Sequence, residues 1–252
     1  MQLTPISWEG IPKFLRQVAE RKPKRVKLAD VVTMPSAVKW VAGLTKIEVV
    51  GSKTEIARLT RTLFGTRKIS GRFLHTAYFL PEDLEGFFSG SARANLRKSS
   101  NAAKRDGCTA RWIHGPQLLD ALNEVLIDRQ SKKGLLNPDG LFRNTRVSLE
   151  EVEGVVAYSP DGSPVSIILG LRIDGLFLLR MALSSETGRA RWLAFAVLIT
   201  EGHQRGIRTV IGERVWALGR GDVQFQERLG FVPVNLRFKV RNTDSVQCSI
   251  VS

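Results

Sequence analysis

The stretch from Met181 to His203 constrains the fold more than any other part of the chain. An apolar run ending near Leu183 passes through a short loop at Gly188 into a segment with helical apolar spacing for about four turns. A strand that ends in a glycine-containing loop at a helix N-terminus presents backbone N–H groups with no partner inside the helix. The helix dipole adds positive potential at the same place. The pattern predicts an anion cradle, with Arg189 and Arg191 flanking the turn and able to add charge-assisted contacts. A pyrophosphate is the natural occupant of such a turn.

The neighbouring segments extend this into an alternation of strands and helices. Pro160-Asp161-Gly162-Ser163 and Asp174-Gly175 are hairpin turn signals, and Val165–Arg172 and Leu176–Leu183 read as two antiparallel strands. Gly206 ends the helix that opens at Arg189. A buried-type strand follows over Arg208–Ile211, then a short helix over Asp222–Leu229 and a final strand over Val232–Val240. Further upstream, Thr109–Ile113 reads as a strand, Gly115–Ser131 as a helix and Ser148–Tyr158 as a helix-to-strand stretch.

In the first part, helices are expected over Ile11–Glu20, Ala37–Leu44 and Lys53–Leu63, and strands over Thr45–Val50 and Arg72–Leu80. Ser52 is placed to cap the third helix, and Pro81-Glu82-Asp83-Leu84 to open another. Gly, Thr, Lys and Ser replace apolar residues near Gly65–Gly71, which marks the expected boundary between a basic segment, 1–70, and a larger domain, 71–252.

The charge is unevenly spread. The chain of 252 residues has a net charge of +14; residues 1–110 carry 20 Lys and Arg against 9 Asp and Glu, a net +11. The densest run lies between Lys13 and Lys27. Such a half attracts polyanions, because neutralising phosphates releases counterions. Nucleic acid, DNA or tRNA, is the expected partner, ahead of an anionic membrane surface. No apolar run approaches the ~20 residues that cross a bilayer, and the first residues lack the charged start and apolar stretch of a signal peptide. Cys108 and Cys248 have no CxxC partner, and His75, His114 and His203 have no metal-ligand spacing. The expectation is a reduced, cytoplasmic setting and no metal. Trp112, Trp192 and Trp216 lie in apolar-patterned segments and read as core.

Three local motifs resemble one family. Ser91 to Gly107 is similar to a basic helix of the pattern Arg-x-x-Leu-Arg-Lys-x-x-Lys-x-Gly, here approximated by Arg93, Leu96, Arg97, Lys98, Lys104 and Gly107. Gly188 and Ala190 match the end of a Gln/Arg-x-x-Gly-x-Gly/Ala loop. Phe225 to Phe231 resembles a terminal helix with a Leu-Gly-Phe ending. Over roughly residues 75–240 the chain thus resembles the GNAT acyltransferase superfamily, and within it the branch of Fem-type aminoacyl and peptidyl transferases. The resemblance implies an α/β fold with a mixed, mostly antiparallel central sheet flanked by helices, joined to a basic α/β N-terminal half that is an extension or a degenerate GNAT-like half.

The resemblance also implies a chemistry. The expected reaction moves an acyl group from acetyl-CoA or another acyl-CoA to an amine. The main chain of Met181, Ala182 and Leu183 would meet the pantetheine arm, and Gly188, Arg189, Ala190 and Arg191 the pyrophosphate. Arg93, Arg97, Lys98, Lys104 and Arg105 are the candidate polyanion contacts. Glu213, expected just past its strand, is the candidate general base through a pKa raised by burial, with Asp222 as second candidate or N-cap. His203, late in its helix, suits the dipole. Two positions depart from the family. Ser185 stands where it has Gln or Arg, and Gln226 stands where many members have a tyrosine acid; glutamine cannot donate a proton as an acid. Two alternatives follow: aminoacyl or related transfer with tRNA or modified DNA, and a nucleic-acid-binding protein on this scaffold without catalysis.

Overall fold

A computed structural model of the chain describes residues 42–64, 71–89, 93–133, 152–185, 188–215, 220–241 and 246–251. The expected helix at Ile11–Glu20, the basic run Lys13–Lys27, most of Ala37–Leu44, most of the Gly65–Gly71 boundary and Trp216 lie outside the described residues.

The first strand, β1 (Lys46–Gly51), turns at Ser52 into α1 (Lys53–Phe64). Ser52 and Glu55 form a reciprocal capping box. Glu55 N–H donates to Ser52 Oγ at 3.3 Å, and the Ser52 amide donates to Glu55 Oε2 at 3.0 Å. After β2 (Gly71–Phe79) comes the short α2 (Leu84–Ser89). Its cap is Asp83, whose carboxylate accepts from the amides of Glu85 at 2.9 Å and Gly86 at 3.0 Å. The helix therefore starts later than the expected opening at Pro81, because the carboxylate and not the proline supplies the first turn's missing partners.

Next come α3 (Ala94–Arg105), β3 (Thr109–His114) and α4 (Pro116–Lys133). The strands β4 (Val152–Tyr158), β5 (Pro164–Ile173) and β6 (Leu176–Ser184) form a meander through the two expected turns, with Asp174 at φ 52° in the second. The remaining elements are α5 (Ala190–Gln204), β7 (Thr209–Arg214), α6 (Arg220–Leu229), β8 (Val232–Val240) and β9 (Gln247–Val251). Three expectations are corrected. The seventh strand runs on to Arg214, so Glu213 lies within it. Asp222 is inside the first turn of α6 and does not cap it. β8 is not the last strand, since β9 follows and pairs with β1.

The described chain forms two compact units. Unit 1 takes residues 42–57, 71–78 and 211–251; unit 2 takes 58–64 and 79–210. Both are α/β; β1 and β8 pair in parallel, while β1–β9, β2–β8, β3–β4, β4–β5 and β5–β6 are antiparallel. This is the mixed, mostly antiparallel sheet with flanking helices that the sequence leads one to expect.

In unit 2, β3, β4, β5 and β6 pair in sequence order. Val152 to Ala157 of β4 are all buried, so this strand is covered on both faces. The helices α4 and α5 both pack on β3, β4 and β5, and α3 packs on α5. Leu193, Ala194, Phe195, Ala196, Leu198 and Ile199 are buried in α5, nearly all round its circumference, as a helix held between a sheet and another helix must be.

In unit 1 the strand order is β7-β2-β8-β1-β9. Residues alternate sharply in β8 and β1. Val234, Leu236 and Phe238, with Ile47 and Val49, are buried and apolar. The opposite face carries Asn235, Arg237 and Lys239 on β8, in register with Lys46, Glu48 and Val50 on β1.

Candidate active site

The residues of the expected cradle lie in unit 2. β6 carries a bulge before its last residues: Leu169 pairs with Met181 and Gly170 with Leu179, so the register shifts by one residue at Arg180. Beyond the bulge Met181 is buried, and Ala182 and Leu183 are half-buried. The Leu183 carbonyl accepts from Ser166 Oγ at 3.0 Å. Ser185 closes the strand by turning inward. Its amide and its hydroxyl both donate to the Val165 carbonyl, at 3.0 and 3.2 Å, and the residue is 2% exposed. This side chain fastens the strand end.

Gly188, Arg189, Ala190 and Arg191 make the entry to α5. Arg189 is the N-cap residue, and among the described residues no side-chain hydrogen bond caps the helix. The Trp192 and Leu193 amides close on the Arg189 carbonyl at 3.0 and 3.2 Å, and the helix dipole adds positive potential at this turn. Arg189 is exposed and pairs with Asp106, Nη1 to Oδ2 at 2.8 Å. Arg191 is half-buried and Ala190 buried.

Asp106 is the C-cap of α3, so this ion pair brings the end of the basic helix to the start of α5. The five basic candidates then separate. Arg93 lies over the Phe87 ring at 5.3 Å, and Arg97 donates to the Phe88 carbonyl; both serve the contact with α2. Lys98, Lys104 and Arg105 are exposed, the last two within two residues of Asp106.

Glu213 and Asp222 lie in unit 1. Glu213 is exposed on β7, so burial does not act on its carboxylate as expected. Its backbone is held by β2: Thr76 Oγ1 donates to the Glu213 carbonyl at 3.4 Å, and His75 Nδ1 to the Gly212 carbonyl at 2.8 Å. Gly212 has no Cβ for a physical reason, because one would collide with Thr76 Oγ1. Asp222 is exposed. Gln226 is 6% exposed, and its Oε1 has no hydrogen-bond partner. Trp112 is buried and Trp192 half-buried. His203 stands in the last turn of α5.

One cluster in unit 2 escaped the sequence. Glu153 on β4 is buried and accepts from Trp112 Nε1 at 3.0 Å and Arg172 Nε at 2.9 Å, with His114 Nδ1 at 3.3 Å. Arg205, just past α5, lies over the Trp112 ring at 4.9 Å, and its carbonyl accepts from Arg172. A lone glutamate in an apolar strand is the signal that could have found it, since a buried carboxylate requires donors around it. Among the described residues no three His, Cys, Asp or Glu side chains come together to hold a metal, and no helix is long and apolar enough to cross a membrane.

No protein-family model and no curated protein matches the chain. Solved structures do match. L-PGS from Bacillus licheniformis is 17% identical at a TM-score of 0.46, covering 69% of this chain and 63% of its own. A C-terminal domain (DUF2156) assigned to a lysylphosphatidylglycerol synthetase from Agrobacterium fabrum is 15% identical at 0.47, covering 67% and 61%. A tandem GNAT protein from the clavulanic acid biosynthesis pathway is 12% identical at 0.38, covering 73% and 54%. The chain thus spans less than two thirds of the length of each. Likeness at this level concerns the fold, and no activity follows from it.

Proposed function

We propose that the chain transfers an acyl group from a CoA thioester to an amine. The observation that carries this reading is the uncapped N-terminus of α5, directly after β6, with the basic end of α3 beside it. Backbone amides at Gly188, Arg189, Ala190 and Arg191 suit a pyrophosphate without needing the side chain that Ser185 lacks. Lys104 and Arg105 add positive charge next to that turn, and Arg189 is shared with Asp106. The main chain of Met181, Ala182 and Leu183 would lie along the pantetheine arm.

Acyl-CoA supplies an activated acyl group, whose C–S bond breaks as the C–N bond to the amine forms, and CoA leaves as its thiolate, which takes a proton from solvent. The amine must lose a proton, and Glu213 is the group assigned to take it, with Asp222 the second candidate. The 71–252 acyltransferase domain, the basic 1–70 segment and a cytoplasmic setting belong to the same proposal. Calorimetry with acetyl-CoA on the full chain tests it: saturable binding is expected, weakened at least tenfold by the Lys104→Glu, Arg105→Glu double variant. Absence of binding sinks the reading. Turnover undiminished in Glu213→Gln removes that residue as the base.

A second reading rests on the exposed Lys98, Lys104 and Arg105 together with the basic first part of the chain. It is aminoacyl or related transfer with tRNA or modified DNA, or nucleic-acid binding without catalysis, the latter fitting Ser185 and Gln226. Binding to tRNA or DNA that falls steeply with salt, without acetyl-CoA binding, would favour it.

A further inference from the structure

We propose that α2 is an acidic strap across the basic helix α3, and that the phosphate backbone of a nucleic acid lifts it off by taking Arg93 and Arg97. Both helices lie in unit 2. The inference rests on the polyanion reading of α3 and is independent of the CoA reading.

Arg93 and Arg97 stand four residues apart, and Asn101, Lys104 and Arg105 continue the same side of the helix. The row from Arg93 to Arg105 is ~18 Å long, enough for several phosphates of one backbone. Its second half is open, since Lys104 and Arg105 are exposed. Its first half is covered. Arg97 donates to the Phe88 carbonyl of α2, and Arg93 lies over the Phe87 ring at 5.3 Å.

The strap is built to leave as a unit. Its own groups complete it: the Asp83 carboxylate caps the first turn through the Glu85 and Gly86 amides, and Ser89 Oγ donates to the Gly86 carbonyl at 3.0 Å. The Phe87 and Phe88 rings meet edge to face at 5.0 Å. No residue of α2 is buried, so lifting it opens no core. The chain before it is anchored, because Leu80 is buried and its amide donates to the Arg208 carbonyl at 2.9 Å. Movement therefore begins after Leu80.

The contacts that hold α2 to the two arginines are a neutral carbonyl and a neutral ring. A phosphate offers a full charge and paired acceptors that match the guanidinium fork, and it is the stronger partner. While docked, α2 also brings the exposed carboxylates of Glu82, Asp83 and Glu85 to the basic helix, where they repel the same phosphates. Binding along the whole row displaces α2, and a chain with a weakened strap binds more tightly, because more of it is competent at the outset.

Two measurements on the full chain test this: anisotropy of a labelled oligothymidylate for binding, and chymotrypsin cleavage after Phe88, mapped by mass spectrometry, for the lifted strap. Saturating DNA should speed the cleavage about threefold or more, whereas a ligand lying over α2 would slow it. Phe87→Ala and Arg97→Gln should both be cleaved faster than wild type without DNA. Their affinities should move in opposite directions, Phe87→Ala binding about threefold more tightly and Arg97→Gln about threefold more weakly. Cleavage that DNA slows or leaves unchanged overturns the strap, as does Phe87→Ala binding no more tightly than wild type; in both cases the polyanion reading survives without it. Equal binding by wild type and Arg97→Gln places the DNA elsewhere on the chain and overturns it too. Absence of salt-sensitive DNA binding by wild type and Phe87→Ala alike removes the polyanion reading and the strap together.

Discussion

His75 Nδ1 lies 2.8 Å from the carbonyl oxygen of Gly212, and this contact fastens β2 to β7 beside Glu213. A carbonyl can only accept, so Nδ1 carries a proton in this contact. Burial penalises the imidazolium and drives the pKa down to about 4, against a smaller opposing contribution from the Gly212 hydrogen bond. The unfolded chain therefore binds a proton that the folded chain refuses between about pH 6.5 and 4. Stability from this residue is intact above that window and is lost as pH falls through it, by up to about 3 kcal/mol. Urea unfolding at pH 7.5, 5.5 and 4 checks this. The wild type should lose more stability than His75→Gln over the window, and parallel pH profiles would refute the assignment.

Glu153 gives a prediction of the opposite kind, about a charge that must stay. Its carboxylate satisfies Trp112 Nε1 and pairs with Arg172, at a residue 5% exposed. Glu153→Ala leaves a buried indole N–H without its acceptor and opens a cavity. Arg172 is 42% exposed and can regain water, which limits the cost. A loss of about 2–4 kcal/mol is expected in chemical denaturation, and a smaller loss for Glu153→Gln, which keeps the shape and one acceptor. Near-equal stability of wild type and Glu153→Ala would show that the cluster is ornamental.

The local half of this fold was legible because its signals are local. Asp174-Gly175 and Pro160 to Ser163 gave the two hairpins, Ser52 its capping box, and Gly206, at φ 82°, the end of α5. What stayed hidden depends on pairing across the chain. β9 is five residues long and mixes Gln, Cys and Ser with Ile and Val, so nothing in it names β1 as its partner. Gly212-Glu213-Arg214 looks like a strand's end until β2 is placed beside it. Asp106 and Arg189 are far apart in sequence, and their ion pair cannot be read from either neighbourhood. The alternation Asn235, Leu236, Arg237, Phe238 was visible as a strand, but only the register with Lys46 and Glu48 shows that its polar face collects charge.

Glycine positions separate close approach from mere punctuation. A Cβ at Gly154 would collide with the Ile168 carbonyl and the Leu169 backbone, and backbone cannot swing aside as a side chain can. Gly154→Ala should therefore cost about 3 kcal/mol or leave no folded protein. At Gly221, within α6, a Cβ would meet nothing within 4 Å. Gly221→Ala should be neutral or stabilising by up to about 1 kcal/mol. Thermal melts of the two variants side by side decide between a packing cause and a general intolerance of alanine.

The Asp106–Arg189 pair allows a prediction that separates the cradle from a generic surface. Both side chains are more than half exposed, 53% and 60%, so the bridge itself contributes little to stability. Its effect on an incoming anion is larger in kind: Asp106 engages the arginine next to the α5 amides and adds a negative charge there. Asp106→Asn removes both obstacles. Under the CoA reading this variant should bind acetyl-CoA about two- to fivefold more tightly, the ratio worth ~0.4–1 kcal/mol of exposed electrostatics, with melting behaviour little changed. The gain should shrink in high salt, because exposed charges are screened. Weaker binding in Asp106→Asn, or a gain indifferent to salt, would mean that the anion is not held at the start of α5.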